Sequence, residues 1–245
     1  MSLLLNCDLG ESFGSWKMGM DEDVFPHIDQ ANIACGFHGG DPLVMMNTLA
    51  LAKKHGVMVG AHPAYPDLVG FGRRSMNCSQ AEIIGFMLYQ ISAMDGMAKS
   101  QGLTMEYVKP HGALYNDMMS KPAVRDAIMQ AVAQFHRPIK LMLQATNDAS
   151  SHEQEAADLG IDVLFEAFAD RCYDDDGKLL ARSQPGAVHN KEKMLAQVKQ
   201  LNENGTITSV SGNTLNIKAD SLCVHGDNLE GVQAIAQIRQ LIQGS

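Results

Sequence analysis

The sequence predicts an α/β fold of parallel βαβ units, with the polar strand ends of a β/α barrel gathered on one face. Two observations carry this reading. Strand-like apolar runs alternate with helix-like stretches along the 245 residues, which is the order that parallel βαβ units produce. Most of those runs also end in a tight cluster of Asp, Glu, His, Lys or Arg. Charged residues gain nothing by ending buried strands unless something binds there, and a β/α barrel brings such ends together into one active site.

The strands are legible in order. Ser2–Asp8 ends in Asp8 and Glu11. Asn32–Phe37 leads into His38 and Asp41, and Val57–His62 ends in His62. Glu106–Pro110 holds Lys109 and leads into His111. Ile139–Gln144 is the fifth strand. Val163–Phe168 holds Glu166 and leads into Asp170 and Arg171. Ser221–His225 is the seventh, and a short run at Thr206–Val210 is a candidate for one more.

The helices between them have readable starts. Asp41 followed by Pro42 fits an N-cap with proline at the first helical position, and Gly56 closes that helix. Ser79 with Glu82 forms a capping box for a long helix to about Ser100, whose apolar positions Ile83, Ile84, Met87, Leu88 and Ile91 follow the helical period. Pro122 opens a helix to about Phe135, and Ser150 to Glu153 opens a short one. Asn190–Asn202 and Asn228–Gln243 are the last two, the latter with a capping box from Asp227 to Glu230. Tyr173–Val188 lacks periodicity, and so long an irregular stretch after a strand is usually a functional loop or lid.

Bulk properties narrow the function. Residues 1–245 are long enough for one barrel domain with a substantial core. The net charge of −9 argues against a nucleic-acid surface, which needs clustered Lys and Arg. No apolar run approaches the ~20 residues that span a bilayer, and Met1–Leu5 leads straight into an acidic motif instead of a signal peptide. The five cysteines are far apart, odd in number and without CxxC spacing, as expected of reduced thiols in a cytoplasmic protein.

The strand ends hold the candidate chemistry. Asp8 and Glu11, three residues apart, suit a divalent cation or a division of acid and base work; the plainer reading is a turn cap and a solvated carboxylate. His38-Gly-Gly-Asp41 has two glycines that let the backbone turn sharply or approach a ligand, while Asp41 also fits a helix cap. His62 is a candidate ligand or general base, or a hydrogen-bonded core histidine. Of Arg73 and Arg74, either can bind an anion bidentately, and a surface salt bridge is the plain role for one of them. Lys109 is costly in an apolar strand unless it is paired or functional, and Tyr115 follows as a candidate proton donor. The remaining histidines at 27, 55, 136, 152 and 189 read as surface or structural. No Walker loop, GxGxxG, GxSxG or HExxH motif is present.

Taken together these segments resemble the LamB/YcsF family, described as the A subunits of bacterial ATP-hydrolysing 5-oxoprolinase. The matching stretches are NCDLGE (6–11), ANIACGFHGGD (31–41), VGAHPAYPD (59–67), FGRR (71–74), VKPHGALYN (108–116), FEAFADRCY (165–173), RSQPGAV (182–188) and VHGD (224–227). Cys7 departs mildly from a usual small residue. The resemblance implies a seven-stranded, TIM-like β/α barrel of the glycoside hydrolase and deacetylase type. It implies ATP-dependent opening of the lactam ring of 5-oxo-L-proline to L-glutamate, together with B and C subunits that take part in ATP use. The expected catalytic residues are Asp8, Glu11, His38, His62, Lys109 and His111, and the expected substrate contacts are Asn32, Arg73, Tyr115, Glu166, Asp170, Arg171 and His225. Asp8, His38 and His62 resemble the metal-binding Asp-His-His sets of related deacetylases, so a divalent metal is a further candidate cofactor. The alternative activity is a metal-dependent deacetylase or carbohydrate hydrolase that acts without ATP.

Overall fold

The computed structural model describes residues 3–225 and 229–243. Seven parallel strands close a barrel: β1 (Leu4–Leu9), β2 (Gln30–Ala34), β3 (Met58–His62), β4 (Met105–Val108), β5 (Lys140–Gln144), β6 (Val163–Phe168) and, closing against β1 and β6, the strand Ser221–Val224, labelled β9. The short run after Thr206 is not an eighth barrel stave. It forms β7 (Thr206–Thr208), which pairs antiparallel with β8 (Thr214–Asn216) as a separate two-stranded sheet.

The strands alternate in register, and the alternation divides two environments. Leu5, Cys7, Leu9, Ala31, Ile33, Val59 and Ala61 join the buried core under the helices. The opposite faces are polar. Asn6 Nδ2 donates to Ser221 Oγ at 2.7 Å, Ser221 Oγ donates to Gln30 Oε1 at 2.7 Å, and Asn32 Nδ2 donates to Asn6 Oδ1 at 2.8 Å. Tyr107 Oη donates to Asn32 Oδ1 at 2.6 Å. Gly60, paired with Asn32 and Tyr107, leaves the space the phenol occupies: a Cβ there would lie 2.3 Å from the Tyr107 ring. Barrel interiors are usually packed with branched apolar layers; this one holds a hydrogen-bonded network beneath its C-terminal mouth.

The helices begin where the caps indicate. Asp41 Oδ1 accepts from Leu43 N and Val44 N at the start of α2 (Pro42–His55), and Gly56 ends it in the left-handed region at φ 67°. The Ser79–Glu82 box opens α3 (Gln80–Ser100). After α1 (Asp21–Val24), α2 and α3, the chain forms α4 (Gly112–Ser120), α5 (Pro122–Ala133), α6 (Ala149–Ala157), α7 (Lys191–Asn204) and α8 (Leu229–Gln243). The sequence pattern gives no helix at α4, which starts after β4 and the segment Lys109-Pro110-His111, with no side-chain cap. The Asp227 cap lies outside the described residues. No helix among the described residues is long and apolar enough to cross a membrane.

Candidate active site

The expected strand-end groups gather at the C-terminal mouth of the barrel. Asp8 leaves β1 with 7% exposure, and Lys109 follows β4 with 2%. The Lys109 ammonium lies 3.1 Å from Asp8 Oδ1 and 2.9 Å from Glu166 Oε2. It also reaches Asn6 Oδ1 at 3.3 Å and Cys223 Sγ at 3.2 Å. Burial works against this charge, but Asp8, Cys223 and Glu166 outweigh it and raise the Lys109 pKa well above the ordinary value. Burial would likewise raise Asp8; His62 and Lys109 overcome it and hold the carboxyl well below the usual range. Lys109 therefore remains an ammonium and Asp8 a carboxylate at neutral pH.

Beside this pair lies a buried histidine cluster. His62 Nδ1 is 2.7 Å from the Lys109 carbonyl oxygen, and His111 Nε2 is 2.9 Å from the Phe71 carbonyl oxygen. A carbonyl only accepts, so each of these nitrogens carries its proton. In the neutral rings the lone pairs then sit on His62 Nε2 and His111 Nδ1, which face one another at 3.0 Å. His62 Nε2 is also 3.4 Å from Asp8 Oδ2, and His111 Nδ1 is 3.5 Å from Glu11 Oε1. His38 stacks on His111 with ring centroids 3.7 Å apart and puts Nε2 3.2 Å from Glu11 Oε1. Converging acceptors of this kind need a cation between them. Burial, reinforced by the neighbouring imidazoles, pushes the pKa values of His38 and His111 well below normal, which disfavours a proton in that role.

Glu11, His38, His62 and His111 each offer one ligand atom, all within 4.8 Å of one another. Three imidazoles and a carboxylate suit a divalent transition ion, and the backbone carbonyls behind His62 and His111 are the outer partners that ligating histidines require. The expected set of Asp8, His38 and His62 is thus divided. His38 and His62 join Glu11 and His111, whereas Asp8 groups with Cys223 and His225.

The turn that separates the two carboxylates is set by glycine. Gly10 has φ 69° and Gly40 has φ 78°. A Cβ on Gly40 would lie 2.7 Å from the Ala34 carbonyl oxygen and 2.8 Å from that of Gly10, and a Cβ on Gly39 would lie 2.6 Å from the Glu11 carbonyl oxygen. The His-Gly-Gly motif therefore brings two backbones together to aim Glu11. Gly40→Ala is expected to cost about 1–3 kcal/mol in urea unfolding.

The cavity at this mouth has a volume of about 460 Å³ and is lined by Asp8, His62, Arg73, Lys109, His111, Tyr115, Arg171 and His225, among others. The arginine pair is resolved: Arg74 is ion-paired with Asp67, and Arg73 lines the cavity. Arg171 lines it too, yet its guanidinium donates to the Ala187 and Leu180 carbonyls, tying the long loop after β6 to the barrel. That loop adds Lys178 and Arg182 to the cavity lining. The Tyr115 hydroxyl is buried beside Glu166, and burial, then the charge of Glu166 and a hydrogen bond to it, raise the Tyr115 pKa so that it stays a proton donor. Asp170 accepts from His225 Nδ1 at 2.9 Å, which aims that ring along the cavity wall. Asn32 lies wholly buried below Asp8, to which it donates at 2.7 Å, so it positions the carboxylate from beneath. His152, expected to be surface or structural, is buried and lines the cavity because α6 begins at the same mouth.

The sequence profile of the LamB/YcsF family matches residues 3–245. The chain is 52% identical over 241 residues to the 5-oxoprolinase A subunit of Pseudomonas fluorescens (strain Pf0-1), covering 98% of this chain and 96% of that one. It is 51% identical over 242 residues to the 5-oxoprolinase A subunit of Chromohalobacter salexigens, covering 98% and 97%. Among solved structures, the lactam utilization protein of Thermus thermophilus superposes with a TM-score of 0.90 at 38% identity, covering 100% and 97%. A putative cellobiose-phosphate cleavage protein of Enterococcus faecalis V583 shares the fold, with a TM-score of 0.55 at 10% identity, covering 99% and 94%. Likeness over the full length of the barrel leads to one conclusion: this chain belongs to the LamB/YcsF family.

Proposed function

We propose that the chain is the A subunit of an ATP-dependent 5-oxoprolinase, acting in the cytoplasm with B and C subunits, and that its cavity opens the lactam ring of 5-oxo-L-proline to L-glutamate. The observation that carries this reading is the meeting of the cationic Lys109, the ionised Asp8 and the histidine cluster in one cavity of a chain so similar to 5-oxoprolinase A subunits. The free thiols at all five cysteines suit a reducing compartment.

A five-membered lactam is a stable amide, so coupling to ATP makes chemical sense. Phosphorylation of the amide oxygen, with ATP bound in part by the partner subunits, turns the ring carbon into an electrophile. Arg73 then holds the substrate carboxylate. The Tyr115 hydroxyl hydrogen-bonds the ring, and Lys109 stabilises charge on the reacting oxygen by exchanging its weak contact to Asn6 or Cys223. Lys178 and Arg182 supply positive charge for a phosphoryl group at the outer wall. Asp8 takes the proton of the attacking water and returns it to the ring nitrogen as the C–N bond breaks, and the acyl phosphate so formed is hydrolysed by a second water to L-glutamate and phosphate. A divalent ion held by Glu11, His38, His62 and His111 would lower the pKa of a water bound to it.

The test is glutamate release from 5-oxo-L-proline, by this chain alone and with the B and C subunits, each with and without ATP. Release only in the full mixture with ATP is the expected result. No release from a folded full mixture would overturn the reading. Amide or sugar-ester hydrolysis by the chain alone, dependent on metal and independent of ATP, would establish the deacetylase-type alternative.

A further inference from the structure

The loop after β3 makes a tight turn from Asp67 to Arg74, beside the histidine cluster. Asp67 Oδ1 accepts from Gly70 N at 2.9 Å, and the Asp67 carbonyl oxygen accepts from Gly72 N at 2.8 Å. The Arg74 guanidinium pairs with the same carboxylate from outside. Asp67 is buried, with 5% exposure, whereas the Arg74 side chain is 66% exposed. A buried carboxylate needs partners, and here they belong to the turn that the carboxylate begins.

The turn is strained where it meets the histidines. Phe71 is the non-glycine residue with positive φ among the described residues, at 53°. Such backbone is costly with a side chain, persists where the surroundings over-determine it, and gathers at functional sites. The Phe71 carbonyl oxygen accepts the hydrogen bond of His111 Nε2 at 2.9 Å, which leaves the Nδ1 lone pair to the cluster. Its ring meets His38 and His111 edge-on at centroid distances of 5.4 and 5.1 Å, and the Arg73 guanidinium lies over it, 5.0 Å from the centroid. The next residue has no spare room: a Cβ on Gly72 would lie 2.8 Å from the His111 ring and 2.9 Å from His38 Cβ. The Gly72 carbonyl oxygen accepts from Ala113 N at 2.8 Å, so the same turn also holds the start of α4, the helix of Tyr115.

We infer that the Asp67–Arg74 turn is the clamp of the histidine cluster, and that Asp67 is its positioning residue. Asp67 acts through the backbone. It fixes Gly70 N, and with it the strained peptide at Phe71 whose carbonyl sets the tautomer and angle of the His111 ring. The inference rests on the reading of Glu11, His38, His62 and His111 as one ligand set. A turn residue of purely structural importance contributes stability alone. A clamp gives the His111 ring one orientation before an ion arrives, so its loss lowers ion affinity beyond any effect on folding.

The test compares wild type, Asp67→Ala, Asp67→Asn, Phe71→Gly and a control, Asn190→Ala, with thermal unfolding to confirm the fold. Asn190 caps α7 by accepting from Lys193 N at 3.1 Å, outside the cluster. Two readouts are taken: nitrogen NMR of the His111 ring in metal-free protein, assigned by its loss in His111→Ala, and zinc affinity by competition with a chelator. In wild type His111 should show one tautomer, protonated at Nε2. In Asp67→Ala its signals should average between tautomers, and the zinc Kd should rise about 10–100-fold. Asp67→Asn, whose amide oxygen can still accept from Gly70 N, should return most of that affinity. Glycine takes positive φ without strain, so Phe71→Gly keeps the fold but frees the turn, and both losses should recur; it decides the matter where Asp67→Ala does not fold. Asn190→Ala should lower Tm and leave both readouts at wild type. A single His111 tautomer with wild-type zinc affinity in Phe71→Gly and folded Asp67→Ala would overturn the clamp. So would losses of the same size in Asn190→Ala. A wild type that takes up no zinc, while its His111 tautomer still depends on Asp67, would overturn the ligand set and leave the clamp standing.

Discussion

Lys109→Ala is expected to abolish turnover and to destabilise the barrel at once. Its ammonium is 2% exposed and sits between Asp8 and Glu166. Removing it leaves two carboxylates buried without their shared counter-ion. Breaking a buried pair in this way costs about 3–5 kcal/mol. The loss of a preorganised cation at the reacting oxygen costs a further factor of at least about 10² in kcat. The single variant therefore confounds chemistry with folding, and a second one separates them. In Lys109→Met/Glu166→Gln, the charge of Glu166 disappears with that of the lysine, and Asp8 keeps the hydrogen bond from Asn32 Nδ2 at 2.7 Å. Urea unfolding of the double variant should recover most of the lost stability. Glutamate release in the reconstituted complex should stay below about a hundredth of wild type. Turnover above about a tenth in the folded double variant would remove Lys109 from the chemistry and leave it a purely structural cation.

The strand ends were legible because each is a sharp local change, from an apolar run to Asp, His or Lys. Asp8, His38, His62, Lys109, His111 and His225 all come from such changes, and the barrel brings them to one mouth. The polar interior was not legible. Asn6, Gln30, Tyr107 and Ser221 look like interruptions of apolar strands, and their pairing depends on register around a closed barrel that no local window contains. The helix at Gly112 is not legible because its start has no capping side chain and the residues that lead into it, Pro110 to Gly112, resemble a loop. The roles of neighbouring arginines were settled by distant partners. Asp67 takes Arg74, and the Leu180 and Ala187 carbonyls take Arg171. The division of Asp8 from Glu11 follows from a turn at Gly10 and the close approach of Gly39 and Gly40, which the motif permits but does not specify.

Glu11→Gln should cost the protein its divalent ion, and with it turnover. Glu11 is the one carboxylate among the four ligand atoms that lie within 4.8 Å of one another. The other three are imidazoles, two with their outer nitrogens committed to backbone carbonyls. Replacing Glu11 removes the negative charge that offsets a divalent cation in a buried site. Changes to one ligand or its outer partner lower metal affinity about 10–100-fold. Elemental analysis should find about one transition ion per wild-type chain and less than about a tenth of that in Glu11→Gln or His111→Ala after the same dialysis. Chelator treatment of wild type should lower Tm, because an ion bound to the folded state stabilises it by mass action, and added metal should restore both Tm and turnover. Asp41→Asn is the matched control. It weakens a cap outside the cluster and costs about 1 kcal/mol at most, with metal content unchanged. A wild-type chain that is free of metal, unaffected by chelator and fully active in the complex would refute the metal site. The cation between His62 and His111 would then be a proton, and the pair would serve as the acid and base of ring opening.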